Sequence, residues 1–160
     1  MIYLLIIIVL VCVETKIKNY VEENIDTEES KDLFDGKITL RKHYNRGMFL
    51  NYLENKKEIV KTVSLVCLGL LLLLFTLLLP KKGNKLYKLG LSFVIGGAIS
   101  NVHDRINRGY VVDYFSINQK KLKNIIFNIS DFCIFFGTLI VTIASLFGSS
   151  PKRSTNETTE

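Results

Sequence analysis

Residues 96–131 read GGAISNVHDRINRGYVVDYFSINQKKLKNIIFNISD. Three carboxylates, Asp104, Asp113 and Asp131, punctuate this stretch, and both of its ends run into long apolar segments. A charged side chain in the hydrocarbon of a membrane costs about 2.5–3.5 kcal/mol on insertion scales and more in simulations. An acid in such a place has a partner or a task. The pattern leads us to expect Asp113 and Asp131 to meet at a membrane surface as a carboxylate pair.

Around that stretch the chain of 160 residues is 48% hydrophobic, with a net charge of +6. The average is close to that of soluble domains; the distribution is not. Apolar residues gather in four blocks and charges gather between them, which predicts an all-α polytopic membrane protein with four transmembrane helices. The expected spans are about 1–20, 60–79, 86–106 and 125–147. Together they form one membrane domain, 1–148, followed by a disordered cytoplasmic tail at 149–160. Nucleic-acid binding is disfavoured, because most Lys and Arg lie in connections and tails and no aromatic-basic module or zinc spacing is present. Cys12, Cys67 and Cys133 each sit in an apolar block and read as packing residues rather than as disulfide or CxxC partners.

The first block is expected to be an uncleaved helix reaching about Tyr20, with Lys16 and Lys18 snorkelling to the interface. The connection at 14–61 holds ten basic and ten acidic residues. Within it, residues 37–44 (KITLRKHY) alternate as a strand would after the Asp35-Gly36 turn. A small extracytoplasmic β-containing flap at 21–59 is the expectation. The second block, VKTVSLVCLGLLLLLFTLLL, ends at Pro80 and leads into a Lys-rich turn that reads as a cytoplasmic hairpin. The third is rich in Gly and Ser, which lets helices approach closely in membranes. Charge counts leave the orientation undecided.

Asn101 and Asp104 are spaced to share a helix face, and Asn128 and Asp131 repeat the spacing. Such residues can build a polar seam, because an amide orients a carboxylate in either protonation state. Arg105 offers a fork that could pair with Asp104. If Asp113 and Asp131 are close, both cannot ionise easily, and one stays protonated while the other acts as a base. Taken alone, Asp104 reads as structural, Asp113 as compatible with an ordinary loop acid, and His103 as a satisfied interface histidine rather than a metal ligand.

The runs GGAISNVHDR at 96–105, GYVVDY at 109–114 and FNISD at 127–131 resemble the lipoprotein signal peptidase (signal peptidase II) family, whose pattern is GGAxxNxxDRxxxGxVVDF followed by FNxAD. The match covers about a quarter of the chain and is in order. The resemblance implies an aspartic endopeptidase of the bacterial plasma or inner membrane. It would remove the signal peptide from diacylglyceryl-modified prolipoproteins just before the lipidated Cys. It implies Asp113 and Asp131 as catalytic, with Asn101, Asp104, Arg105 and Asn128 supporting. It implies cytoplasmic termini, a site near the outer leaflet, no metal or organic cofactor, and inhibition by globomycin-type peptides. A monomer in contact with membrane lipid is expected.

Two elements depart from the family pattern. The family's NxGxAF element resembles residues 45–49, which brings in Asn45 and Gly47 as supporting residues, one position short. Its DQxTK element, aligned on Thr15-Lys16, puts Cys12 where the acid belongs, which suggests a divergent member. The missing acid raises the alternative of a non-cutting membrane protein of the same fold that binds lipidated peptides. A small proton or ion transporter is a third reading, opposed by the lack of a convincing internal repeat.

Overall fold

The computed structural model describes residues 1–47, 53–119, 122 and 124–147. Among them are four long helices and one small sheet: α1 (Ile2–Asn24), β1 (Ser30–Leu33), β2 (Ile38–Asn45), α2 (Lys57–Leu78), α3 (Lys85–Asn107), β3 (Val111–Ile117), β4 (Ile126–Phe127) and α4 (Ile129–Phe147). The tail expected at 149–160 lies outside the described residues, as do Met48 and Phe49 of the second family element.

Each helix is 19 to 23 residues long, a rise of about 28–35 Å, which matches a bilayer's hydrocarbon thickness. By length and composition, α2 and α4 are apolar enough to cross a membrane. The helices α1 and α3 have similar length but carry ionisable residues in their buried faces, among them Glu14, Lys18, Lys88 and Asp104.

The central helix is α3, which packs against α1, α2 and α4. Small residues make this possible. A Cβ built on Gly97 would stand 2.5 Å from the Ser130 carbonyl oxygen, and one on Gly137 would stand 2.5 Å from that of Gly90. The backbones of α3 and α4 therefore touch, as small-residue faces allow in lipid. An apolar cluster of Ile7, Phe75, Leu91 and Ile95 joins α1, α2 and α3. At the turn after α2, Lys88 is buried rather than displayed on the hairpin. Its ammonium donates to the carbonyls of Leu79 (3.0 Å) and Lys81 (2.5 Å), which would otherwise be orphaned beyond the helix end.

The strands extend the sequence expectation. The alternating run predicted at 37–44 is β2, and it pairs with β1 across a turn in which Phe34, Asp35 and Gly36 all have positive φ. The sheet does not stop at the first loop. Its order is β1-β2-β3-β4, all antiparallel, so residues 111–117 and 126–127 belong to it. The fourth helix consequently starts at Ile129 instead of 125, because Ile126 and Phe127 pair with Ser116 and Phe115. A bulge between Leu40 and His43 shifts the β2–β3 register, so that His43 stands opposite Asp113. Val112 and Tyr114 point the other way and bury against Val21 of α1, as side chains one residue apart on a strand must. The sheet is thereby fixed over the polar end of the bundle with Asp113 facing inward.

Candidate active site

Asp113 lies mid-strand in β3 and is 2% exposed. Its two oxygens accept from amides on different elements: Asn128 Nδ2 at 2.6 Å and Asn45 Nδ2 at 3.0 Å. Burial, followed by the nearby charge of Asp131, pushes the Asp113 pKa up to about 7, against the opposing effect of the Asn45 and Asn128 hydrogen bonds.

Asp131 arrives by another route. Asn128 is the residue before the first helical residue of α4, and Asp131 is the third residue inside. The Asp131 N–H donates to Asn128 Oδ1 (3.0 Å), and the Asn128 N–H donates to Asp131 Oδ2 (3.2 Å). This reciprocal pair is a capping box. The Asn-x-x-Asp spacing read from the sequence as one helix face is, at 128–131, a helix start. Because the Asn128 backbone and Oδ1 serve the cap, its Nδ2 remains to hold Asp113. One asparagine, 0% exposed, thus ties both acids together. The other Asp131 oxygen accepts from Asn101 Nδ2 at 3.1 Å.

Asn101 reaches Asp131 in this orientation because its carbonyl end is held on the opposite side. Lys18 Nζ donates to Asn101 Oδ1 at 2.9 Å and to Ser100 Oγ at 3.2 Å. Lys18 does not snorkel. It is 0% exposed and lies 3.0 Å from Asp104 and 3.9 Å from Glu14. A buried ammonium needs such partners. Asp104 therefore pairs with Lys18, and with Arg108 Nε at 3.5 Å, instead of with Arg105. It also accepts from the Val112 N–H at 3.3 Å, one residue before Asp113. Arg105 spans the mouth: its guanidinium donates to the carbonyls of Asn101 (3.3 Å) and Gly47 (3.1 Å). The Gly47 N–H in turn donates to Asn45 Oδ1 at 3.1 Å, turning that amide toward Asp113. His103 is exposed on the outer face of α3, against Asn107.

Glu14 is the residue that sequence reasoning missed. It is 2% exposed and accepts from Tyr114 Oη (2.8 Å) and from the Ser130 N–H (3.2 Å), so it helps to cap α4 from α1. Burial and the Glu14 charge raise the Tyr114 pKa, which keeps its hydroxyl a donor. The signal was present in the sequence. Glu14 and Lys18 are four apart and share a face inside an apolar helix. Aligning on Thr15-Lys16 passed over that pair. Glu14 and Lys18 keep the acid-to-lysine spacing of the first element, two residues further along the chain.

The acids open onto a cleft of about 860 Å³. Its polar end holds His43, Asn45, Asn101, Arg105, Asp113 and Asp131. Its remaining wall is mostly apolar, with Phe127 of β4 at its head and Phe132, Ile134 and Phe135 running down α4. The cleft suits an elongated amphiphile that places a polar bond against two carboxylates.

The signal peptidase (SPase) II family pattern matches residues 6–147. A lipoprotein signal peptidase of Clostridioides difficile is 31% identical over 96% of this chain and 100% of its own length. One from Lactiplantibacillus plantarum is 30% identical over 91% of this chain and 94% of its own. One from Fusobacterium nucleatum is 28% identical over 96% and 91%. Among solved structures, a bacterial membrane enzyme determined in meso at 2.3 Å resolution superposes with a TM-score of 0.80 at 23% identity, covering 95% of this chain and 92% of that one. A second, at 1.9 Å resolution, gives 0.76 at 22% identity, covering 92% and 94%. The fold is that of a membrane enzyme, and the sequence match spans nearly all of it: the chain belongs to the signal peptidase II family.

Proposed function

We propose that this peptidase is an intramembrane aspartic endopeptidase that removes signal peptides from diacylglyceryl-modified prolipoproteins, before the lipidated Cys, using Asp113 and Asp131. The observation that carries this reading is the convergence of two acids from different elements on one half-apolar cleft, bridged by Asn128.

Burial and the nearby charge of Asp131 favour the protonated form of Asp113, which we assign as the proton holder. Asp131 is the base. A water between them loses a proton to Asp131 as its oxygen bonds to the scissile carbonyl carbon. Asp113 delivers its proton to the carbonyl oxygen. On collapse of the tetrahedral intermediate the C–N bond breaks, and the leaving nitrogen takes the proton from Asp131. The carbonyl re-forms as its hydroxyl proton returns to Asp113, so both acids end as they began.

Four spans, with cytoplasmic termini and the sheet at the outer leaflet, are the arrangement this reading uses. It places the apolar wall of α4 where acyl chains lie and the acids where hydrocarbon meets headgroups. Globomycin-type peptides would occupy the same cleft. The reading of a non-cutting binder rested on a missing first-helix acid, and Glu14 supplies an acid at that spacing from Lys18.

The test is cleavage of a synthetic diacylglyceryl prolipopeptide by purified protein. Asp113→Asn and Asp131→Asn should each lower kcat by about 10²–10⁴-fold, the usual worth of a general acid or base. Binding of the lipopeptide by folded wild type without product would support the non-cutting binder instead. Turnover surviving either substitution would show that other acids do the work.

A further inference from the structure

Arg105 faces two cavities. Besides the cleft, it lines a smaller one of about 170 Å³ with Arg46, Lys57, Glu58, Lys61 and Ile106. Four of these side chains are cations and one is an acid. Among the described residues of this cavity the one ion pair is Lys61–Glu58, at 3.2 Å between half-exposed and exposed groups. Arg46 and Lys57 are exposed and have no ion-pair partner among the described residues. Arg105 Nε is shielded from water and has no hydrogen-bond partner among the described residues. A buried donor left open costs about 1–3 kcal/mol, unless something accepts from it.

The position adds a second constraint. Lys57, Glu58 and Lys61 occupy the first turns of α2, directly before its apolar membrane-crossing run. The amino end of that helix adds positive potential. Ile106, which lines the cavity, is half exposed, at 52%. Four cations at a membrane boundary, one of them Arg105 with an open donor, and the apolar Ile106 beside them fit a phosphate-type anion carried on an acyl chain.

We propose that the cavity between the amino end of α2 and the carboxyl end of α3 binds the phosphate of an anionic phospholipid, separately from the cleft. Catalysis at the two acids is not required for this binding. Because Arg105 is shared, an occupied cavity holds its guanidinium in place at the mouth of the cleft.

Native mass spectrometry of the full-length protein from neutral detergent tests this, with phosphatidylglycerol and phosphatidylcholine offered together. Wild type should retain phosphatidylglycerol at least tenfold over phosphatidylcholine. Arg46→Gln with Lys57→Gln should lose that preference about tenfold or more, each cation near a membrane surface being worth about 1 kcal/mol. Arg46→Lys with Lys57→Arg should keep it. A charge-matched control at the opposite end of α2 and α3, Lys82→Gln with Lys85→Gln, should also keep it. Equal retention of both lipids by wild type would overturn the proposal, as would an equal loss in the control. Adding inorganic phosphate separates the two sources of the anion. Persistence of bound lipid at millimolar phosphate supports the lipid; displacement that depends on Arg46 and Lys57 supports an anion site served from solution and overturns the lipid.

Discussion

The helices α2 and α3 are neighbours of almost equal length, 22 and 23 residues, and they are built on opposite rules. The more apolar helix, α2, buries only Val60 and Phe75. The less apolar one, α3, buries twelve residues, five of which are Lys88, Ser92, Ser100, Asn101 and Asp104. In water the order would be reversed, because apolar area drives burial. In lipid the outside of a bundle is as apolar as Leu, so hydropathy does not select the buried face. Close approach and polar satisfaction do. Hydropathy therefore finds α2 and says little about the site, whereas α3 is weak in hydropathy and carries half of it.

The largest expected effect on stability comes from breaking the buried charge cluster that α3 shares with α1. Lys18→Met leaves Glu14 and Asp104 without their shared cation and Asn101 Oδ1 without its strongest donor. Loss of one partner of a buried pair costs about 3–5 kcal/mol. Unfolding in neutral detergent should show that loss, and kcat should fall as well, since Asn101 no longer has its amide held toward Asp131. Lys61→Met breaks an exposed pair on α2 and should cost about 1 kcal/mol or less. Similar losses for the two would mean that the cluster is not the clamp the distances describe.

Next come the glycines at the α3–α4 contact. In Gly97→Ala, the new methyl meets the Ser130 carbonyl at 2.5 Å and Ile134 Cγ1 at 2.9 Å. A carbonyl inside a helix cannot swing aside, so the helices must part, at about 1–3 kcal/mol. Ser130 precedes Asp131, so kcat should fall too, by up to about 10²-fold for a shift near 1 Å. Gly137→Ala meets the Gly90 carbonyl at the same 2.5 Å, about two turns further along α4. It should cost similar stability with a smaller loss of rate. An equal drop in rate for both would indicate that the contact moves α4 as a rigid rod.

A smaller effect is the pH profile. Asp113 must carry its proton to act as the acid, and its pKa is about 7. Above that value kcat/KM should fall tenfold per unit. The stability sign follows from the same shift. An unfolded aspartate ionises near 4, while the folded carboxyl keeps its proton to about 7. This group therefore lowers stability as pH rises through that window and adds nothing further above it. A profile flat to pH 9 would remove Asp113 as the proton holder.

Much of this was legible in the chain, for identifiable reasons. The acids, Asn101, Asn128 and Arg105 stand in contiguous motifs, and the β2 alternation is local. The extension of the sheet to residues 111–117 was not, because VVDYFS at 111–116 is largely buried on both faces and shows no alternation. A continuous apolar run of that length does not distinguish a strand from the end of a helix. The partner of Asp104 was misread because Arg105 is adjacent in sequence, whereas successive helical residues point about 100° apart. Lys18 reads in sequence as an interfacial residue because snorkelling is the common fate of such lysines. Only the three-dimensional meeting of α1 with α3 shows that it is enclosed. The capping box at 128–131 was hidden by a spacing that serves a helix face and a helix start equally well.

The smallest effect is the one that tests the comparison most directly. Gly69 lies in the middle of α2, and a Cβ built there meets nothing within 4 Å. Glycine inside a helix is less favourable than alanine by roughly 0.5–1 kcal/mol, through the freedom it loses on ordering. Gly69→Ala should therefore stabilise the protein slightly in detergent and leave kcat unchanged. The same substitution at Gly97 should do the opposite on both counts. The sign at Gly69 depends on whether α2 presents this face to lipid alone. A loss of stability there would mean that another surface, such as a second copy of the chain, covers α2 at close range. The exposed helix would then obey the same small-residue rule as α3.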